Sequence, residues 1–180
     1  MSTFRFAIMG AGNIAHQFCD AVTLVEDCEV SAIASKDLGR AQKFAEECSV
    51  AHAYDNYEQM LIEEKPDCVY IAVTPNDHFR LTMLCLEHRV PVLCEKAMFT
   101  NSAEAKAVFE KAEKDQTFVM EAMWSRFLPA VNQAKKWAAE GKIGRLEALQ
   151  GRIGFLAPEG ADNRYHSPLL CGGAATDITV

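Results

Sequence analysis

The chain has 180 residues, 49% hydrophobic and 24% charged, a balance that supports one folded core and part of a second. Its formal net charge of −7 argues against nucleic-acid or anionic-membrane partners, which call for a basic face. The seven cysteines are odd in number and none lies in a C-x-x-C spacing, so a disulfide scaffold and a metal site are not expected and a reducing cytoplasm is. Met1-Ser2-Thr3 runs straight into a strand pattern. Without a basic leader or a run of about 18 apolar residues, neither a signal peptide nor a membrane span is expected.

In chain order, short apolar runs predict strands at Phe4–Met9, Val30–Ala34, Ala51–Tyr54, Cys68–Val73, Val92–Cys94 and Phe118–Ala122. Helical patterns lie between them at Ile14–Val22, Leu38–Glu47, Tyr57–Glu63, His78–Glu87 and Ala103–Asp115. Strands apolar on both faces, alternating with helices, predict an α/β fold with a doubly wound parallel Rossmann sheet over residues 1–122. The pattern changes near Phe127-Leu128-Pro129. A helix fits Ala130–Glu140 and ends at Gly141. Trp137 falls at helical spacing with Val131, Ala134 and Ala138, which favours core packing. Alternation from Gly144 to Ile153 then predicts a strand with one wet face. Residues 123–180 are therefore expected to hold a linker helix and the start of an α+β second domain with a mainly antiparallel sheet, unfinished at Val180.

The first strand leads into Gly10-Ala11-Gly12-Asn13-Ile14-Ala15. In a dinucleotide fold, the first glycine allows the tight turn and the second lets backbone N–H groups approach a pyrophosphate. The small Ala15 lets helix and strand pack closely, and the helix start offers its N–H groups to the anion. Gly10, Gly12, Asn13 and Ile14 are thus candidate cofactor contacts. The second strand ends in Ala34-Ser35-Lys36, where NAD enzymes usually place an acid. A hydroxyl followed by a cation, with Arg40 one helical turn on, suits a 2′-phosphate and predicts NADP in preference to NAD. The alternative is that Lys36 and Arg40 are solvated residues at a helix start. Asp37 either caps that helix or holds a ribose hydroxyl.

Ligands of open α/β sheets bind beyond the carboxyl ends of the strands. Thr74, Pro75, Asn76 and His78 follow the fourth strand there, with Asn76 or Asp77 able to cap the next helix. Glu95 and Lys96 follow the fifth strand, where an ionisable pair is paired or used. A Lys in a closed cleft can hydrogen-bond a substrate oxygen, stabilise its charge or relay its proton. Trp124 and Arg126 are expected at the end of the sixth strand. Trp124 would wall the nicotinamide or fill a domain seam; Arg126 would hold a phosphate, an amide or a substrate oxygen.

Taken in order, Gly10–Ala15, Ser35-Lys36-Asp37, Thr74-Pro75-Asn76-Asp77-His78, Cys94-Glu95-Lys96, Glu121-Ala122-Met123-Trp124-Ser125-Arg126-Phe127, Asn163-Arg164 and Gly172-Gly173-Ala174-Ala175-Thr176-Asp177 resemble the Gfo/Idh/MocA oxidoreductases. The likeness runs over the whole chain and is strongest to the dimeric dihydrodiol dehydrogenase and NADP-dependent xylose dehydrogenase branch. It implies hydride exchange between a nicotinamide and a secondary alcohol or carbonyl of a sugar, polyol or trans-dihydrodiol, in a homo-oligomer such as a dimer. It also implies that Lys96 and Asp177 are catalytic, that Glu95 positions Lys96 or the nicotinamide ribose, and that the usual proton donor, Tyr or His, would follow Val180. Two departures stand out. Cys171 occupies a place where the family usually has glycine. Ala97 replaces the proline that usually follows the Lys, often in a cis bond, so the turn is either kept or becomes trans and moves Lys96. A non-catalytic dinucleotide-binding protein is the second class of function compatible with these features.

Overall fold

A computed structural model describes residues 3–156, 158–160, 163 and 165–173. Arg164 and Asp177 lie outside the described residues. The strands are β1 (Phe4–Met9), β2 (Cys28–Ala34), β3 (His52–Tyr54), β4 (Cys68–Ile71), β5 (Val92–Glu95) and β6 (Val119–Ala122). The helices are α1 (Asn13–Val22), α2 (Leu38–Cys48), α3 (Tyr57–Glu64), α4 (Pro75–Glu87), α5 (Ser102–Asp115) and α6 (Pro129–Ala139). All strand pairs are parallel, in the order β3-β2-β1-β4-β5-β6. The chain thus forms the doubly wound sheet that strand–helix alternation requires, reversing its order between β1 and β4.

The sheet forms here because its strands are apolar on both sides. Ala7, Ile8 and Met9 of β1 and Val69 and Ile71 of β4 have no exposed surface. On one face, Met9, Ile71 and Val92 meet Met60 and Leu61 of α3 and Leu81 and Cys85 of α4. On the other, Ile8, Ile33 and Tyr70 meet Ala15 and Cys19 of α1 and Phe44 of α2. Val108 and Ala112 of α5 close over Leu86 of α4. Asp37, Asn56 and Asn101 each cap a helix, accepting a backbone N–H bond from Arg40, Gln59 and Glu104 at 2.8–3.0 Å.

At the amino ends of the strands, Glu64 is buried and serves three elements. It accepts from Arg5 Nη2 at 2.8 Å and Tyr54 Oη at 2.6 Å, and its Oε1 lies 2.6 Å from His52 Nδ1. Arg5 also donates to the Glu64 carbonyl at 2.8 Å. This cluster ties β1 and β3 to the end of α3.

Most element boundaries shift by one or two residues from expectation, and several differences bear on the site or the second domain. The fourth strand ends at Ile71, because Ala72 and Val73 leave the ladder to cover the glycine turn. The following helix begins at Pro75, not His78, and its N-cap is Thr74, not Asn76 or Asp77. Proline at the first helical position carries a fixed helical φ and lacks an N–H that would be unpaired there anyway. No strand forms over residues 144–153. A lone alternating segment has no ladder partner for its N–H and C=O groups among the described residues. Trp137 is 46% exposed and no residue of α6 is buried, so the core packing expected of this helix is not seen among the described residues. The stop of α6 is as read, with Gly141 at φ +70° and Lys142 N donating to the Trp137 carbonyl at 3.0 Å. Among the described residues, no helix is long and apolar enough to cross a membrane.

Replacing Glu64 with Ala leaves the Arg5 guanidinium and the Tyr54 hydroxyl without their buried acceptor. The expected outcome is a loss of about 2 kcal/mol in urea unfolding, with a smaller loss for Glu64→Gln, which still accepts a hydrogen bond.

Candidate functional site

The site lies beyond the carboxyl ends of β1, β2, β4, β5 and β6. At its floor, β1 stops at Met9 and Gly10 turns with φ +109°. A Cβ at residue 10 would lie 2.8 Å from both the carbon and the oxygen of the Ala72 carbonyl and 2.9 Å from Val73 Cγ1. Gly10 N donates to the Ala34 carbonyl at 2.8 Å, and Ala72 N donates to the Met9 carbonyl at 2.8 Å, so the turn is bonded on both sides. Gly12 is different. Its φ of −104° is ordinary, and a Cβ there would meet nothing closer than the Ala72 oxygen at 3.9 Å. Nothing within the protein requires glycine at that point. The space is left in front of the start of α1, which has no side-chain cap. Such a start presents N–H groups and a positive dipole end, which fits a pyrophosphate. Asn13 is exposed beside it, while Ile14 packs against the core.

At the end of β2, Ser35 is buried, and its Oγ accepts from Asp37 N at 3.4 Å. Asp37 is the N-cap of α2, the first of the two roles open to it. Arg40 lies along the glycine turn, with Nη2 3.3 Å from the Ala11 carbonyl oxygen. Lys36 is exposed, and its Nζ reaches Asp77 Oδ2 at 2.5 Å. Asp77 also takes Arg80 Nε on Oδ1 at 3.4 Å. Burial raises the pKa of Asp77, but these two cations outweigh it and hold the carboxyl below the usual range.

Thr74 and Pro75 are half-buried at the rim and Asn76 is exposed. His78 is placed elsewhere than expected. It is wholly buried, with Nδ1 2.9 Å from the Ala97 carbonyl oxygen and Nε2 3.0 Å from that of Val73. It therefore bridges the two loops that frame the crevice and offers no surface to a cofactor. The sequence-based assignment of His78 as a cofactor contact is corrected on that ground.

The loop after β5 carries the candidate chemistry. Glu95 Oε1 accepts from Tyr70 Oη at 2.6 Å, and its Oε2 accepts from Lys96 N at 3.2 Å. Burial, then the hydrogen bond and charge of Glu95, push the Tyr70 hydroxyl far above the ordinary tyrosine range, so it stays a donor. Phe18 stacks on that ring at 4.0 Å between centroids. Glu121, opposite Cys94 in the β5–β6 register, accepts from Met98 N at 2.9 Å. The Lys96–Ala97 peptide bond is cis, the first of the two alternatives that Ala97 leaves open. Lys96 is half-buried at the mouth of this loop. Trp124 and Arg126 stand past the end of β6, on the single 3₁₀ turn Trp124–Phe127, and both are exposed. Cys171 has φ +57°, the backbone region in which glycine is at ease.

The structure thus brings Gly10, Gly12, Asn13, Ser35, Lys36, Arg40, Thr74, Pro75, Asn76, Glu95 and Lys96 to one edge of the sheet. Sequence reasoning passed over Tyr70, Arg80 and Glu121. Tyr70 carried a signal, since a hydroxyl in an apolar strand needs a partner. Arg80 did too, lying three residues after an acid on one helix.

The family model for oxidoreductases with an NAD-binding Rossmann fold matches residues 4–123. The chain belongs to the Gfo/Idh/MocA oxidoreductase family. It is similar to the trans-1,2-dihydrobenzene-1,2-diol dehydrogenase of Mus musculus, at 36% identity over 84% of this chain and 46% of that protein. The Danio rerio protein of the same name is 31% identical over 98% of this chain and 53% of its own length. The chain therefore spans about half the length of the curated relatives it matches. Among solved structures, a 3-ketoreductase from Actinomadura kijaniata in complex with TDP-benzene and NADP is similar at 26% identity with a TM-score of 0.74, over 80% of this chain and 44% of that one. An NAD-binding protein from Listeria innocua shares the fold, with a TM-score of 0.80 at 22% identity, over 99% of this chain and 52% of that one.

Replacing Gly10 with Ala puts a methyl against the Ala72 carbonyl at an unfavourable φ. The expected outcome is a loss of about 2 kcal/mol or more in stability, together with loss of any fluorescence enhancement with NADH or NADPH. Gly12→Ala should leave the melting temperature within a few degrees and abolish the same enhancement.

Proposed function

We propose that this chain supplies the cofactor-binding half of an NADP-dependent oxidoreductase, acting on a secondary alcohol or carbonyl of a sugar, polyol or trans-dihydrodiol. The observation that carries the reading is the alignment along one sheet edge of a glycine turn that admits no side chain at Gly10 and, at the next loop but one, the backbone of Lys96 held by Glu95. Gly10, Gly12 and Asn13 would receive the pyrophosphate, and Ser35, Lys36 and Arg40 the adenosine ribose with its 2′-phosphate. Thr74, Pro75, Asn76 and Glu95 would line the ribose and amide of the nicotinamide end, with Trp124 and Arg126 at its outer rim. When bound, the nicotinamide supplies hydride exchange with the substrate carbon.

The protein's part is orientation and the handling of one proton. Lys96 hydrogen-bonds the substrate oxygen, so the charge developing there is met by a fixed cation. Glu95 keeps the Lys96 backbone in place through its N–H and is itself held by Tyr70. Asp177, by the family resemblance, is proposed to share the handling of that proton. The dihydrodiol dehydrogenase name of the relatives supports a small hydroxylated substrate. NADP is favoured over NAD because the end of β2 presents Lys36 and Arg40, and Asp37, the acid that follows in sequence, is used as a helix cap. We place the activity in the cytoplasm, in a homodimer or larger homo-oligomer.

The test is NADP-linked turnover by the protein carrying this chain, with a pentose and with a cyclic trans-diol. Lys96→Met should lower kcat by about 10²–10⁴-fold, the range of a lost proton-handling group. Turnover that survives this substitution with little loss would exclude Lys96 from the chemistry. Cofactor binding without turnover in the wild type would instead favour a non-catalytic dinucleotide-binding protein.

A further inference from the structure

The ion pair between Lys36 and Asp77 joins two elements that are not neighbours in the sheet. Lys36 stands two residues past the end of β2, and Asp77 stands in the first turn of α4, which follows β4. The order β2-β1-β4 puts β1 between them. With about 4.8 Å from strand to strand, β2 and β4 lie about 10 Å apart, so the bridge passes over the carboxyl end of β1, above the Gly10 turn. Arg40 reaches the Ala11 carbonyl from one side of this span, and Arg80 holds the second oxygen of Asp77 from the other. Two cations, Lys36 and Arg80, therefore hold one carboxylate whose side chain is only 18% exposed, while Lys36 remains 66% exposed. The pairing of Asp77 with two cations keeps it ionised across the physiological range.

We infer that Asp77 is a cofactor-selecting residue, the resident counter-anion of Lys36, which competes with a 2′-phosphate for that lysine and so weakens the preference for NADP over NAD. The inference rests on the assignment of the adenosine ribose to the end of β2. A dinucleotide without a 2′-phosphate leaves the pair intact, so Lys36 is never stripped of an anion. A 2′-phosphate instead takes Lys36 from Asp77, and the displaced carboxylate keeps Arg80. Its negative charge then stands close to the incoming dianion, a repulsion that acts against one cofactor and not the other. Discrimination is thus a difference between two anions for one ammonium group.

The experiment measures the Kd of NADPH and of NADH by fluorescence for the wild type, Asp77→Asn, Lys36→Met and the double variant, in the protein carrying this chain. Asp77→Asn should tighten NADPH about tenfold and change NADH by less than about twofold, raising the NADPH:NADH selectivity about fivefold or more. In the Lys36→Met background the same substitution should change NADPH by less than about threefold, because the competition runs through Lys36. Asp77→Ser gives the same reading should Asp77→Asn not fold. An equal shift for both cofactors, or weaker NADPH binding by Asp77→Asn, overturns the inference; in the second case Asp77 positions Lys36 for the phosphate. The wild-type ratio reads the NADP assignment separately. A wild type that prefers NADH defeats that assignment alone, and one that binds neither nucleotide defeats both.

Discussion

The carbonyl of Ala72 and the α-carbon of Gly10 approach so closely that a single extra carbon between them would sit at 2.8 Å. That contact fixes where β1 ends and where β4 leaves the sheet. It also directs α1 back over the strand, with Ala15 wholly buried against it. The order reversal of the sheet lies at these two strands, so the opening between them follows from topology, while its depth follows from the glycine contact. Each candidate residue on the rim is placed relative to that floor.

Lys96 depends on a second layer of constraints. Three buried or half-buried side chains reach the loop that carries it from three elements. Tyr70 comes up from β4 to Glu95, Glu121 reaches across from β6 to Met98, and His78 reaches from α4 to Ala97. Most of these bonds end on backbone atoms of the loop, so they determine its path and leave the lysine's chemistry to its surroundings. Phe18 on α1 supports Tyr70 by stacking. Helix α1 and the lysine loop are therefore linked through one stacked pair of rings, Phe18 and Tyr70.

Much of the fold was legible in the sequence because a strand buried on both faces has few disguises. The run Val69-Tyr70-Ile71 could hardly lie anywhere but in a covered sheet, and Gly10 with Gly12 signalled the turn after β1. What was not legible depends on contacts between residues far apart in sequence. That His78 turns inward is decided by the carbonyls of Val73 and Ala97, which no local pattern encodes. That Lys36 finds Asp77, 41 positions away, requires knowing that β1 sits between β2 and β4. The alternating stretch from Gly144 to Ile153 misled for the opposite reason, since periodicity expresses a capacity for pairing and the partner must come from elsewhere.

The buried acid Glu64 sits at the opposite end of the strands from the cradle, with Arg5, Tyr54 and His52 gathered on it. One rim of the sheet thus carries a buried ionic fastening and the other an exposed one, lined by Lys36, Arg40 and Asn76, whose side chains help hold no core. This division of labour leaves the exposed rim free to vary, because the scaffold beneath does not have to be rebuilt to tolerate a substitution there.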